Sequence, residues 1–112
     1  MSPLTTHVLD TSTGRPARGV EVRLELQVPG GWHELARART DDDGRVRGLL
    51  EAGALETAVY RLHFASGEYF ASDGRECFYP EIAIEFAITR PGEHHHVPLL
   101  LSPFGYSTYR GS

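Results

Sequence analysis

The sequence predicts an all-β protein: an antiparallel β-sandwich of seven to eight short strands with one short helix. Three observations predict it. Val20, Val22, Leu24, Leu26 and Val28 alternate strictly with Glu21, Arg23, Glu25 and Gln27, the pattern of a strand with one face on a core and one in water. Similar short runs recur every ~10 residues, separated by turns rich in Gly, Pro and Asp. A βαβ alternation is missing, which argues against a parallel nucleotide-binding sheet.

The first strand runs from Leu4 to Asp10, with Leu4, Thr6 and Val8 on one face and Thr5, His7 and Leu9 on the other. Thr11 to Pro16 is a polar turn. The strand Val20 to Val28 ends at Pro29-Gly30-Gly31, whose glycines suit a hairpin turn with positive backbone dihedrals. Trp32 to Thr40 alternates more weakly. Arg37 and Arg39 share one of its faces, as expected of an edge strand guarded against further pairing. Asp41-Asp42-Asp43-Gly44 is an acidic Asx-type turn leading into Arg45-Val46-Arg47. A calcium loop is its functional rival, and the later ligands and distal glutamate of such a loop are missing.

Glu51 to Thr57 is the helix candidate, one or two turns long because Gly53 interrupts it. Tyr60, Leu62 and Phe64 mark the next strand, and Ser66 to Arg75 reads as a loop held by Tyr69 and Phe70. Ile82, Ile84, Phe86 and Ile88 share one face of a further strand. After a turn at Arg90-Pro91-Gly92-Glu93, the last long strand runs from His94 to about Leu101. Pro98 inside it predicts an edge or irregular position. The tail is unusual for a C-terminus. Leu99, Leu100 and Leu101 are followed by Phe104, Tyr106 and Tyr109, which carry apolar area that is costly to leave in water. It is expected to complete a sheet or to line a site shared between subunits.

The 112 residues make one domain, 1–112, with room for a core but little for a deep private pocket. Net charge is -4 and no basic stripe appears, which disfavours nucleic acid. All 11 basic residues are arginine, so lysine Schiff-base chemistry and a phosphate loop with its lysine are excluded. The single cysteine, Cys77, forbids an intrachain disulfide and reads as a buried thiol beside Phe78 and Tyr79. The N-terminus carries no signal-peptide pattern, and no apolar run approaches the ~20 residues of a membrane span. A cytoplasmic location is expected, with export as the alternative.

Candidate chemistry concentrates on histidine and arginine. On a strand, His94 and His96 point one way and His95 the other. Two histidines on one face with a third from elsewhere, such as His7, form one candidate zinc site. The same groups also suit a metal-free site, in which His7 and His96 flank a small polar ligand and move protons. An arginine would grip a planar, carbonyl-rich ligand with a two-pronged contact; Arg45 and Arg47 share a face, and periodicity favours neither. His33 and His63 read as surface histidines. No serine lies in a nucleophile-elbow pattern.

Three stretches carry a family resemblance. They are Thr6-His7-Val8-Leu9-Asp10 with Gly14-Arg15-Pro16-Ala17, Arg39-Thr40 with Asp43-Gly44-Arg45, and the long run from His96-Val97-Pro98 to Tyr109-Arg110-Gly111-Ser112. On these the chain resembles the 5-hydroxyisourate hydrolases of the transthyretin-related family, nearly end to end. The closing Tyr-Arg-Gly-Ser is what separates the hydrolases from transthyretin, the hormone carrier of the same fold.

The resemblance implies a transthyretin-like sandwich of eight strands and one helix. It implies a homotetramer, a dimer of dimers, with active sites at the dimer–dimer interface. It implies His7, Arg45 and His96 as catalytic residues, and Tyr109, Arg110 and Ser112 as substrate-binding residues. The implied reaction opens the ring of 5-hydroxyisourate with water, without metal, cofactor or covalent intermediate. A carrier of small aromatic ligands, as transthyretin is, stands as the alternative. Two positions depart from the family pattern. Asp42 stands where asparagine is common and would bind Arg45; His95 stands where tyrosine is common and should point away from His96.

Overall fold

The computed structural model describes residues 2–112. In chain order the elements are β1 (Leu4–Asp10), β2 (Arg15–Pro16), β3 (Glu21–Val28), β4 (Gly31–Arg39), β5 (Arg45–Val46), β6 (Ala58–Phe64), α1 (Ser66–Ala71), β7 (Ile82–Ile88), β8 (His95–Ser102) and β9 (Gly105–Thr108). They form two sheets. One has the order β2-β1-β8-β9, with β5 also paired to β1; the other has the order β4-β3-β6-β7. The period-2 patterns decide which faces meet. Leu4 and Val8 of β1, Leu99 and Leu101 of β8, Val22 and Leu24 of β3, Leu62 and Phe64 of β6, and Ile82 of β7 belong to one buried cluster. The sandwich expected from the sequence is therefore present. The helix α1 is the one helix among the described residues, and it is neither long nor apolar enough to cross a membrane.

Several local expectations need correction. The sandwich is not wholly antiparallel: β1 and β8 pair in parallel, from Leu4 beside His95 to Asp10 beside Leu101. Such a pair needs a long crossover, here nearly the whole chain, and no local signal announces it. Of the two positions expected for Pro98, the structure shows the irregular one and not the edge, because β8 lies between β1 and β9. Its missing N–H falls where the ladder is open. The last β8–β9 pair is Leu99 with Thr108, and pairing resumes at His96 with Gly111. The Thr108 hydroxyl donates to the Pro98 carbonyl at 2.7 Å across this gap.

The helix is also elsewhere. Glu51 to Thr57 forms turns, with Gly53 at φ +78° and Leu55 buried. The segment read as a loop contains α1. Six residues are too few for a readable period, and such a helix forms because tertiary contacts hold it. Phe70 is fully buried, and Ser66 Oγ donates to the Tyr79 carbonyl at 2.7 Å. Gly67 lets the helix approach the chain at Pro80, where a Cβ would come within 2.9 Å of backbone atoms. Cys77 is only half-buried, its thiol donating to the Tyr79 carbonyl at 3.0 Å.

The end of β1 is fixed by a buried charge. The Asp10 side chain is fully buried, and it accepts from the Ser12 amide at 3.0 Å, the Tyr69 hydroxyl at 2.9 Å and Arg75 at 2.8 Å. The Ser12 hydroxyl donates to it as well. Burial alone would raise this carboxyl's pKa; the hydrogen bonds from Ser12, Arg75 and Tyr69 outweigh it and hold the pKa below the usual value. A depressed carboxyl stabilises the fold above its unfolded-state pKa, and the contribution is lost as pH falls through the folded value. Asp10→Asn should therefore cost about 3 kcal/mol, because Arg75 is left facing a neutral amide. Urea unfolding at pH 7 checks this, and the gap between parent and variant should narrow in acid.

Candidate active site

The half-exposed face of β1 carries Thr5, His7 and Leu9. Two neighbours bring further groups to it. On one side, β5 pairs His7 with Arg45. On the other, β8 pairs Thr5 with His96 and His7 with Pro98. Beyond β8, Gly111 of the tail bridges to His96, its amide donating to the His96 carbonyl at 2.8 Å. Arg45, His7, Thr5, His96 and Gly111 thus come from adjacent segments onto one outer face of the sheet.

The acidic turn places Arg45. Asp41 Oδ1 accepts the amides of Asp43 and Arg45, each at 2.9 Å, and the Asp41 amide donates to the Arg45 carbonyl at 2.9 Å. These backbone donors, that of Arg45 first, hold the Asp41 carboxyl below its usual pKa. Gly44 joins the turn to β1, accepting from the Val8 amide at 2.7 Å. It takes φ +74°, and a Cβ there would stand 2.4 Å from the Val8 carbonyl oxygen. Arg47, the other arginine of that face, is paired to Asp41 at 3.2 Å and Asp43 at 3.5 Å. Asp42 does not bind Arg45 as anticipated; it pairs with Arg18 at 2.9 Å.

His96 is part-buried. Its Nδ1 lies 2.8 Å from Thr5 Oγ1, and the same oxygen lies 3.2 Å from His94 Nε2. The other edge of the ring meets the tail, where a Cβ on Gly111 would approach His96 Cδ2 to 2.6 Å. Burial, and then the positive charge of Arg45, hold the His96 imidazole below its ordinary pKa. A neutral imidazole beside a guanidinium is suited to take a proton while the arginine steadies negative charge. His95 points the other way, buried, with Nδ1 2.9 Å from the Glu93 carbonyl oxygen.

The tail residues lie apart from His7 and Arg45. Tyr109 and Arg110, with Glu85, Phe86, Ala87 and His96, line a groove of about 220 Å³ between β7 and the tail. Arg110 pairs with Glu93 at 3.1 Å, and Ser112 is exposed. A second hollow of about 230 Å³ is lined by Thr5, Thr6, Arg45, Arg47 and His94. His96 lines the groove, and its Nδ1 lies 2.8 Å from the hydroxyl of Thr5, which lines the hollow. No group of three or more histidine, cysteine, aspartate or glutamate side chains is placed to hold a metal ion among the described residues. Thr5, Asp41, Gly44 and Gly111 were not singled out as site residues from the sequence. Thr5 shares a face with His7, which was a usable signal. Nothing local marks Gly111, whose need for hydrogen in place of a side chain exists only against the folded His96 ring.

This geometry meets an independent finding: a family model described as HIUase/Transthyretin matches residues 4–111. The chain belongs to the HIUase/transthyretin family. A 5-hydroxyisourate hydrolase of Salmonella dublin is 50% identical over 109 residues, covering 97% of this chain and 80% of that protein. The structure of the Klebsiella pneumoniae 5-hydroxyisourate hydrolase is 42% identical with a TM-score of 0.84, over 97% of this chain and 98% of that one. Sea bream transthyretin in complex with thyroxine is 30% identical with a TM-score of 0.92, over 98% of this chain and 95% of that one. The family thus holds both a hydrolase and a thyroxine-binding protein on one backbone, and the side chains of the site must tell them apart.

The position of Arg45 rests on Gly44, and a substitution separates its two demands. Gly14→Ala should cost about 1 kcal/mol, because Gly14 has φ +72° but open space around its Cβ position. Gly44→Ala should cost clearly more and should shift the amide resonances of His7 and Arg45, since backbone must move. Denaturant unfolding with amide NMR on both variants checks this.

Proposed function

We propose that this protein hydrolyses 5-hydroxyisourate to 2-oxo-4-hydroxy-4-carboxy-5-ureidoimidazoline, in the breakdown of urate. The observation that carries the reading is His96, its imidazole held below the ordinary pKa by burial and Arg45, on the same sheet face as His7 and Arg45, in a chain 42–50% identical to hydrolases of this substrate. The substrate is a small planar ring system with several carbonyls. Water adds to a ring carbonyl carbon, and the carbon–nitrogen bond then breaks. His96 and His7 orient the water and take its proton, and a proton returns to the leaving nitrogen. Arg45 stabilises the negative charge that develops on the carbonyl oxygen.

Tyr109, Arg110 and Ser112 bind substrate in this reading, and the assembly is a tetramer, a dimer of dimers with sites at the interface. What supports it is the incompleteness of one chain. The hollow at Arg45 and the groove at Arg110 are both open, and a neighbouring copy would supply a wall. Phe104 is 65% exposed and Tyr109 is 59% exposed, areas large enough to favour cover by a partner. The carrier reading is the weaker one. Transthyretin's likeness is at 30% identity, against 42–50% for the hydrolases.

Ultraviolet decay of freshly made 5-hydroxyisourate, with and without protein, tests the activity directly. His96→Ala should lower kcat/KM by at least about 100-fold while leaving the assembly intact on sedimentation. In the parent, the acid limb of kcat/KM should have its midpoint below 6.5, the ordinary imidazole value. The lowered pKa keeps the base form to more acidic pH, and activity is lost as pH falls through it. Parental turnover by His96→Ala would refute the assignment.

Removing residues 109–112 tests the tail. The β8–β9 ladder ends at Thr108, so the sandwich should keep its circular dichroism. Charged hydrogen bonds to a desolvated ligand are worth about 2–5 kcal/mol, so hydrolysis should fall by at least about thirtyfold. Sedimentation should show the truncated protein still assembled, and near-parental activity would make the tail a mere flap.

A further inference from the structure

The Thr5 hydroxyl sits between two imidazoles, and nothing said so far gives it a task. A threonine hydroxyl has one proton to donate and two lone pairs that accept. His96 Nδ1 at 2.8 Å and His94 Nε2 at 3.2 Å are both within hydrogen-bond range of it. Two flanking nitrogens and one hydroxyl proton give two arrangements in which Thr5 both donates to one ring and accepts from the other. In one, Thr5 donates to His96 and accepts from His94; His96 then carries its proton on Nε2. In the other, His96 Nδ1–H donates to Thr5, and Thr5 donates to His94 Nε2; His96 Nε2 is then bare.

Nε2 is the far tip of the His96 ring, and it makes no hydrogen bond to any of the described residues. With Nδ1 engaged by Thr5 and Cδ2 set against Gly111, Nε2 alone is free to meet a reacting molecule. Of these two, the second gives that atom a lone pair, because His96 then carries its proton on Nδ1. It also suits the proton transfer. When Nε2 gains a proton from water, the Nδ1–H bond to Thr5 is already made and becomes charge-assisted, with no hydroxyl to turn round. In the first arrangement, Thr5 would have to swing its proton away from a ring that has become a donor on both sides. His94, at the surface, completes the chain by accepting the Thr5 proton.

We propose that Thr5, backed by His94, is a positioning residue that holds His96 as its Nδ1–H tautomer and leaves Nε2 bare for the reacting water. This rests on the hydrolase reading above and adds two residues to it. Thr5→Val keeps the volume and β-branching that a strand position favours and removes only the hydroxyl. It should lower kcat on the order of tenfold, the worth of one hydrogen bond to a charged group, with KM changed by less than about twofold. Thr5→Ser restores the hydroxyl and should recover kcat to within about threefold of the parent. His94→Phe should lower kcat less than Thr5→Val does, since Thr5 keeps its bond to His96.

The tautomer is read directly by 15N NMR of the imidazole nitrogens in the intact parent protein, at a pH where His96 is neutral. A protonated Nδ1 and an unprotonated Nε2 are expected. An Nε2–H tautomer in the parent overturns the proposal. So does a parental kcat in Thr5→Val, or a Thr5→Ser variant as slow as Thr5→Val, which would assign the loss to packing. If the parent itself fails to hydrolyse 5-hydroxyisourate, the functional reading fails; the NMR tautomer then decides the arrangement at Thr5 on its own.

Discussion

The parallel pairing of β1 with β8 is the constraint on which the rest of this molecule depends. It joins segments some ninety residues apart in sequence, from Leu4 beside His95 to Asp10 beside Leu101. Because paired residues share a face, the register that buries Leu4, Val8, Leu99 and Leu101 also turns Thr5, His7 and His96 outward together. A slip of one residue would exchange core and site. The buried Asp10, tied to Ser12, Tyr69 and Arg75, closes the far end of the same strand. Core packing and site geometry are therefore one requirement.

Around this pair the site is assembled by close approaches that side chains would block. Gly44 lets the acidic turn lie on β1, and Gly111 lets the tail lie on the His96 ring. The electrostatics follow from the same crowding. Arg45 makes no ion pair among the described residues; Asp41 and Asp43 are engaged by Arg47, and Asp42 by Arg18. Positive charge beside a part-buried imidazole favours its neutral form. The opposite sheet shows the contrast. There Glu25 lies 2.9 Å from Arg61 and 2.5 Å from His63, a mostly covered cluster in which carboxylate faces base; His63, read from the sequence as a surface histidine, is only 14% exposed in its side chain.

The tail is fixed in its backbone and open in its side chains. Its backbone continues the β8–β9 register past the gap at Pro98, so the path to Gly111 is set by the sheet. Its side chains are another matter. Within one chain Arg110 is spent on Glu93 and Tyr109 lies open. An exposed ion pair of this kind contributes little, about 0–1 kcal/mol, so a negatively polarised ligand or a neighbouring subunit can draw Arg110 away at small cost.

The sequence by itself determined the sandwich, because a half-buried strand writes its period into the chain. Val20 to Val28 and Ile82 to Ile88 show this, although Leu26 and Val28 are only half-buried toward the hairpin end. The edge position of β4 was legible from Arg37 and Arg39. The resemblance carried by the long motifs named His7, Arg45 and His96, and the structure sets these three on one sheet face. Tertiary structure decided what has no local period. It placed the helix at Ser66–Ala71, where Phe70 and Pro80 anchor it, and left the more helix-like Glu51 to Thr57 as turns around Gly53. It put Pro98 in a central strand by aligning its missing donor with a gap in the ladder. It made Thr5 the neighbour of His94 and His96. Alternation along a strand reports only which side a residue faces; which distant strand lies beside it is fixed by the packing of the whole chain, and the site is made of such neighbours.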